Sequence, residues 1–287
     1  MAFRTVEISS HCKLEYSLNY LVFRTPKDTK RILLDEIQTL IIDSTAVALT
    51  TSLISELSKR NICVIFCDEK HNPESQLLPL FGSYESSLAL SRQINWSQEI
   101  KDLVWKEIIK QKITWQGKVL RKYKPDDDFL INYCDLVTDG DATNCEGHAA
   151  KYYFNRVFFD GFTRDSESEI NTFLNYGYSI LLSEVNRCVA AKGYNSQLGI
   201  HHHNQFNPYN LSCDLMEPFR PIIDDYVHSL TAIDFKQNLI ELFQKNVFIN
   251  GMVQTLNNAI QIYVANTLKA LDMQDLSLLT FFESYEL

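Results

Sequence analysis

The 287-residue sequence has no apolar run approaching the roughly 20 residues that a membrane span needs, so no segment reads as membrane-spanning. Its opening, MAFRTVEISSHCKLEYS, lacks a charged stretch followed by a continuous apolar one, and no secretory signal is expected there. The seven cysteines (Cys12, Cys63, Cys67, Cys134, Cys145, Cys188, Cys213) are odd in number and scattered. That distribution argues against a disulfide framework and for reduced thiols in a cytoplasmic compartment. Cys63 and Cys67 flank Val-Ile-Phe in an apparently buried strand, and no second pair completes a zinc site, so both read as core residues. Positive charge is scarce as well. The net charge is −9, which by itself argues against a nucleic-acid binder. No internal repeat is apparent.

What is present begins with 45% apolar residues, ample for a core and unlike a disordered composition. The charge is unevenly spread. From Lys106 to Lys124, KEIIKQKITWQGKVLRKYK carries Lys106, Lys110, Lys112, Lys118, Arg121, Lys122 and Lys124 against the single acid Glu107. Trp115 and Tyr123 lie among them, with Trp105 just before. Such interleaving suits a phosphate backbone with stacked bases. It suits equally an amphipathic helix with a solvated lysine face.

Up to about Pro79 the pattern is β-rich: FRTVEIS, CKLEYS, NYLVFR, KRILLDEI and QTLIID are short apolar runs between polar breaks. Thr51 reads as the N-cap of a helix through Arg60, and NICVIFCD as a buried strand. The join CDEKHNPESQLLPLFGSYESS has the prolines, glycine and polar residues of a linker. From about Asn95 the period is helical to the end. The expected class is therefore α+β in two domains, a small β-rich one over residues 1–85 and a larger all-α one over 86–287. Within the second, TNCEGHAAKYYFNRVF opens with Thr143 or Asn144 as cap. EINTFLNYGYSILLSEVNRCVAAKG forms a long helix from Ser168 that Gly193 ends, and Ser212 caps a helix at LSCDLMEP.

The segment GIHHHNQFNPYNLSCDLMEPFRPIIDD places three histidines before a carboxylate-rich stretch. In extended chain His201 and His203 point one way and His202 the other, which disfavours a three-histidine metal site. One histidine with distant carboxylates remains, a mixed set suited to Mn²⁺ or Mg²⁺ acting on phosphate. Asp214 and Glu217 share a helix face, and Pro218 and Pro221 release the carbonyls of the same two residues. Asp214 has a plainer explanation as a charge near the helix N-terminus. Glu146 has one too, because Thr143-x-x-Glu146 matches a capping box, and spacing alone favours that box.

At these residues the sequence resembles the CRISPR-associated integrase family, the universal spacer-acquisition subunit. The resemblance rests on CEGHAAKYYF at Glu146, NTFLNYGY at Asn171–Tyr178, LGIHH at Leu198–His202, and DLMEPFRPIIDD, in that order, and it spans most of the chain. Agreement of HHNQFNPYNLSCDLMEPFRP points to the branch found in type II systems. The resemblance implies a β-sandwich-like N-terminal domain that dimerises and an α-helical catalytic domain. It selects Glu146, His202 and Glu217 as catalytic ligands of Mg²⁺ or Mn²⁺, with Asp214 as an acidic neighbour. Many relatives carry aspartate at the Glu217 position. Lys118, Arg121, Lys122 and Arg220 are the candidate DNA contacts. The implied reaction joins the 3′-hydroxyl ends of a foreign DNA fragment, a duplex with single-stranded 3′ ends, to the CRISPR repeat by transesterification. The implied partners are a second copy of the chain and a small ferredoxin-like companion bridging two dimers. In type II systems they extend to the effector nuclease and a ring-shaped accessory protein. Two other readings stand beside it: a structure-specific DNA endonuclease acting by hydrolysis, and a non-catalytic DNA-binding scaffold.

Overall fold

The computed structural model describes residues 4–79, 83–229 and 235–286. The N-terminal part comprises β1 (Arg4–Ile8), β2 (Cys12–Ser17), β3 (Tyr20–Arg24), β4 (Thr29–Leu33), β5 (Ile37–Ile42), β6 (Val47–Leu49), α1 (Thr51–Lys59), β7 (Cys63–Cys67) and β8 (Pro73–Leu77). They form two four-stranded sheets, in the orders β1-β5-β7-β8 and β4-β3-β2-β6. In the first, β1, β5 and β7 run parallel and β8 antiparallel; in the second, β2, β3 and β4 are an antiparallel meander and β6 runs parallel to β2. The five expected strands are all present. The helix cap sits one residue earlier than expected: the Thr50 hydroxyl accepts the Leu53 N–H. Part of the expected linker is a strand, since β8 pairs with β7 and Pro73 takes the first strand position, where its missing N–H costs least. The join also includes residues 80–82, outside the described residues.

The central strands β5 and β7 face two cores. Leu40, Ile42 and Val64 pack with Leu14, Leu21, Leu53 and Leu57 between the two sheets. Ile41, Cys63, Ile65 and Cys67, one residue out of step, pack with the helices instead. The two-residue side-chain period thus makes one sheet the wall of both cores. It also explains why NICVIFC is apolar throughout.

The helical part comprises α2 (Ser86–Ile94), α3 (Gln98–Tyr123), α4 (Phe129–Tyr133), α5 (Cys145–Val157), α6 (Glu169–Ala191), α7 (Asn210–Met216), α8 (Arg220–Ser229) and α9 (Phe235–Leu242). Then follow β9 (Asn246–Ile249), β10 (Met252–Thr255), α10 (Leu256–Met273) and β11 (Phe282–Tyr285). Ser168 caps α6 as expected, and Gly193 follows it at φ 83°, a left-handed turn that glycine adopts without strain. The expected all-α domain is corrected by the antiparallel sheet β10-β9-β11. Its hairpin turns on Asn250-Gly251, both at positive φ, a strong sequence signal for a two-residue turn.

Helix α6 lies at the centre. Its Gly177 brings α6 close to α8 and α9: a β-carbon there would stand 2.6 Å from the Ile223 Cγ2 and 3.4 Å from a Leu239 methyl. Gly177→Val should therefore lower unfolding stability by about 1–3 kcal/mol through overpacking, read as a reduced urea midpoint with unchanged slope.

Candidate active site

Helix α3 buries Trp105, Ile108, Ile109, Ile113, Val119 and Leu120, and Lys112 lies within that apolar stripe. Its ammonium donates to Glu146 Oε1 at 2.7 Å and to Glu217 Oε2 at 2.5 Å. Arg220 Nε donates to the other Glu217 oxygen at 2.8 Å. The Lys112 side chain is 8% exposed and that of Glu217 4%. Burial works against the charged form of Lys112, but the carboxylates of Glu217 and Glu146 outweigh it and hold the amine above its ordinary range. Burial likewise pushes Glu217 up, and Arg220, Lys112 and His202 together bring it below the usual carboxylate range. Lys112 and Glu217 are therefore both charged at neutral pH.

The local chain explains their aim. Helix α5 is capped by Asn144, whose side chain accepts the Gly147 N–H, and by Asp141, which accepts the N–H groups of Cys145 and Glu146 at 2.8 and 2.9 Å. The Thr143–Glu146 capping box is not formed; Asp141 takes that role and releases the Glu146 side chain toward Lys112. Glu217 sits where α7 gives way to a single 3-10 turn, Glu217–Phe219, before α8. Pro218 has no N–H to continue α7. Ser212 is not a cap either: it lies inside α7, 2.6 Å from the Ser196 hydroxyl and donating to Asn186.

Asp214 is fully buried and serves the histidine loop. One oxygen accepts the N–H groups of Ile200 and His201 at 2.6 and 3.0 Å; the other accepts the His202 N–H at 3.2 Å and the His202 Nδ1–H at 2.5 Å. With these donors on both oxygens, Asp214 braces the site. The remaining ring nitrogen of His202 is Nε2, the atom that a ligand or phosphate would meet. The hydrogen bond from Asp214 raises the His202 pKa; burial opposes it, and the Asp214, Glu217 and Glu146 charges reinforce it. His201 does not point away as extended chain would require. It stacks on Trp105 at 4.4 Å between ring centroids, and Trp105 meets His202 edge-on at 5.7 Å. His203 lines a hollow of about 740 Å³ with Gln93, Lys101, Gln197, Asn204 and Phe206.

The basic run is not a single solvated face. Trp105 and Trp115 are 1% and 6% exposed, so neither offers a platform to a base. Lys106 pairs with Asp139, Arg121 with Asp128, and Lys122 with Asp225. Lys118 is exposed, its ammonium 3.8 Å over the Trp115 ring. Behind Arg220, Tyr178 presents its ring face 4.5 Å from the guanidinium and donates its hydroxyl to buried Asp224. Burial pushes that carboxyl up to about 7, with Tyr178 and Arg220 opposing. Sequence reasoning missed Lys112, Tyr178 and Asp224 as members of the site. The signal for Lys112 was its place in a helical apolar stripe, at i+3 and i+4 from Ile109 and Ile108.

Among the described residues, no three His, Cys, Asp or Glu side chains stand in position to hold a metal ion. At this site Lys112 lies between two of the three candidate ligands. The donor chemistry nonetheless fits a hard divalent cation: two carboxylates that already hold a positive charge, and an imidazole with Nδ1 fixed.

A sequence model described as CRISPR associated protein Cas1 matches residues 7–247. The CRISPR-associated endonuclease Cas1 of Neisseria meningitidis serogroup C (strain 8013) is 31% identical over 226 residues, covering 78% of this chain and 74% of that protein. A CAS1 protein from Thermotoga maritima has the same fold, with a TM-score of 0.76 over 100% of both chains at 17% identity. A casposase bound to its integration product also matches, with a TM-score of 0.76, 19% identity, and coverage of 96% of this chain and 92% of that one.

Because its folded pKa is raised, the His202–Asp214 pair stabilises the fold below the unfolded value of about 6.5 and loses that contribution as pH climbs through the folded value. In metal-free protein the His202 ring resonances should titrate above the ordinary range, and Asp214→Asn should move the midpoint down. An unchanged midpoint would show that Asp214 does not govern the ring.

Proposed function

The chain belongs to the CRISPR-associated protein Cas1 family, and from that premise we propose that it is a metal-dependent integrase of CRISPR adaptation. It joins the 3′-hydroxyl ends of a foreign DNA fragment to the CRISPR repeat by phosphodiester transesterification. One observation carries this reading: Glu146 and Glu217, from separate helical segments, converge on one positive charge beside an imidazole braced by Asp214. The resemblance of HHNQFNPYNLSCDLMEPFRP supports assignment to the type II branch, and the fold of the casposase bound to its integration product supports strand joining.

Glu146, His202 and Glu217 would hold Mg²⁺ or Mn²⁺, which when bound polarises the phosphoryl oxygen and offsets the charge that develops on it. The chain's own residues do the rest. Arg220, fixed between Glu217 and the Tyr178 ring, supplies a planar donor to a phosphate at the mouth of the site. Asp214 keeps the His202 ring from rotating. The nucleophile is the DNA hydroxyl, so no side-chain nucleophile is required. Lys118, Arg121 and Lys122, toward the end of α3, would hold the DNA backbone. A second copy of the chain and a small ferredoxin-like companion complete the assembly, in the cytoplasm.

Glu146→Gln, His202→Ala and Glu217→Gln should each reduce joining of a fragment to a repeat-bearing plasmid by at least about 10²-fold, while fragment affinity measured without metal changes little. Glutamine retains the size of glutamate and loses the charge that a hard cation needs. His203→Ala, facing the neighbouring hollow, is the control. Full joining by the Glu146→Gln protein would sink the assignment. Nicked product without joined product from the unaltered protein would instead favour the hydrolytic endonuclease.

The double change Lys118→Glu with Arg121→Glu should weaken duplex binding and reduce the slope of log affinity against log salt by about 2. Lys122 is left alone because its ammonium is 3.0 Å from buried Asp225, where a glutamate would face a like charge. An unchanged slope would remove these residues from the DNA path.

A further inference from the structure

We propose that Lys112 is a tethered cation occupying the metal position, and that a divalent ion binds by displacing it, with a DNA phosphate receiving the displaced ammonium. This rests on Glu146, His202 and Glu217 being the metal site, and it makes metal binding and DNA binding mutually dependent.

The geometry sets up the competition. An Mg²⁺ ion bonded to carboxylate oxygens sits about 2.0–2.1 Å from them. The Lys112 nitrogen already lies 2.5 and 2.7 Å from one oxygen of each glutamate, so ion and ammonium claim the same space. Both charges are positive, and the low exposure of Lys112 and Glu217 leaves little water to screen them. The two cannot share the pair.

The exit is also defined. Glu146 is the more open ligand, its side chain 23% exposed against 4% for Glu217, so the ammonium leaves on the Glu146 side. Lysine carries its charge on a flexible stem and holds it as a point charge, whereas Arg220 is fixed by Glu217 and by the Tyr178 ring. The metal therefore displaces Lys112 and leaves Arg220 in place. An ammonium driven from two carboxylates needs another anion, and the anion that reaches this site in the proposed reaction is a DNA phosphate. In the DNA-free protein the lysine keeps the two carboxylates aimed at one point while holding the ion off. Once DNA is present, the same lysine becomes a phosphate contact.

By linkage, DNA should tighten Mn²⁺ binding by the same factor that Mn²⁺ tightens DNA binding, and couplings of this kind are typically 5–150-fold. The experiment follows free Mn²⁺ by its paramagnetic resonance signal, with and without a short DNA duplex, in the unaltered protein and in Lys112→Met. The unaltered protein should bind Mn²⁺ weakly alone and at least about fivefold more tightly with DNA. Lys112→Met should bind it tightly without DNA, and DNA should add little. A folded Lys112→Met protein with unaltered or weaker Mn²⁺ affinity overturns the proposal. Should that variant fail to fold, amine labelling of the unaltered protein, read by mass spectrometry, gives the answer. Lys112 should be protected without metal and modified at saturating Mn²⁺; persistent protection overturns the proposal. Glu146→Gln separates the two levels. If Mn²⁺ binding survives Glu146→Gln, the ion lies elsewhere, and the metal-site reading falls together with the proposal. If Glu146→Gln abolishes binding while Lys112→Met leaves it unaltered, the metal site stands and the competition alone is refuted.

Discussion

Glu146 and Glu217 turn their carboxylates to one point at the edge of a helical core, and Lys112 of α3 supplies the positive charge between them. Removing one partner from such a group leaves an uncompensated buried charge, a loss of about 3–5 kcal/mol. The pairing thus fixes more than the two carboxylates. It ties α3 to the first turn of α5 and to the break between α7 and α8. Arg220 extends it to the ring of Tyr178 on α6, and Asp224 on α8 closes the circuit. The site is a by-product of how these helices satisfy charge, and its shape is as rigid as their packing.

The two acids of the Asp214–Glu217 pair sit three residues apart and do different work. Asp214 lies within α7 and turns its carboxylate to the amides of residues 200–202. Glu217 falls at the proline break and faces the cations. Pro218 separates the two fates: without it α7 could continue through Glu217 and the 3-10 turn would not be needed. A buried acid that accepts hydrogen bonds from a neighbouring loop orients its histidine, and an acid flanked by Lys112 and Arg220 is a site for a positive charge. Charge type alone would have merged them.

Much of this was legible in sequence. The short apolar runs of the N-terminal strands, the long helix from Ser168 and the acidic stretch after the histidines were all readable locally. The failures have physical causes. Thr143-x-x-Glu146 is a valid capping box by spacing, but Asp141 lies close enough to take both amides first, and spacing cannot report that competition. The sheet β10-β9-β11 was hidden because strands of four residues carry too little alternation, and β11 pairs across the whole of α10. Asn250-Gly251 was the available clue. Lys112 was read as one of seven basic residues, when its position on the apolar stripe of α3 set it apart from Lys118, three residues beyond Trp115.

The overall negative charge bears on the same helix. Four of the seven basic residues between Lys106 and Lys124 already face carboxylates: Asp139, Asp128, Asp225, and the Glu146–Glu217 pair. Two of these pairs lie at the surface, Arg121–Asp128 exposed on both sides and Lys106–Asp139 on the aspartate side, so water screens them and they contribute little. A phosphate can replace either acid at little cost. Lys122 faces Asp225, which is 1% exposed and also accepts the hydroxyls of Tyr123 and Tyr285, so this lysine is held more firmly. Lys112 is held most firmly of all. On the proposed reading the run would grade from charges that DNA recruits on contact to one that another cation displaces. In this proposal an acidic chain binds a polyanion through basic residues that face its own carboxylates in the absence of DNA, the least firmly held of them at the surface.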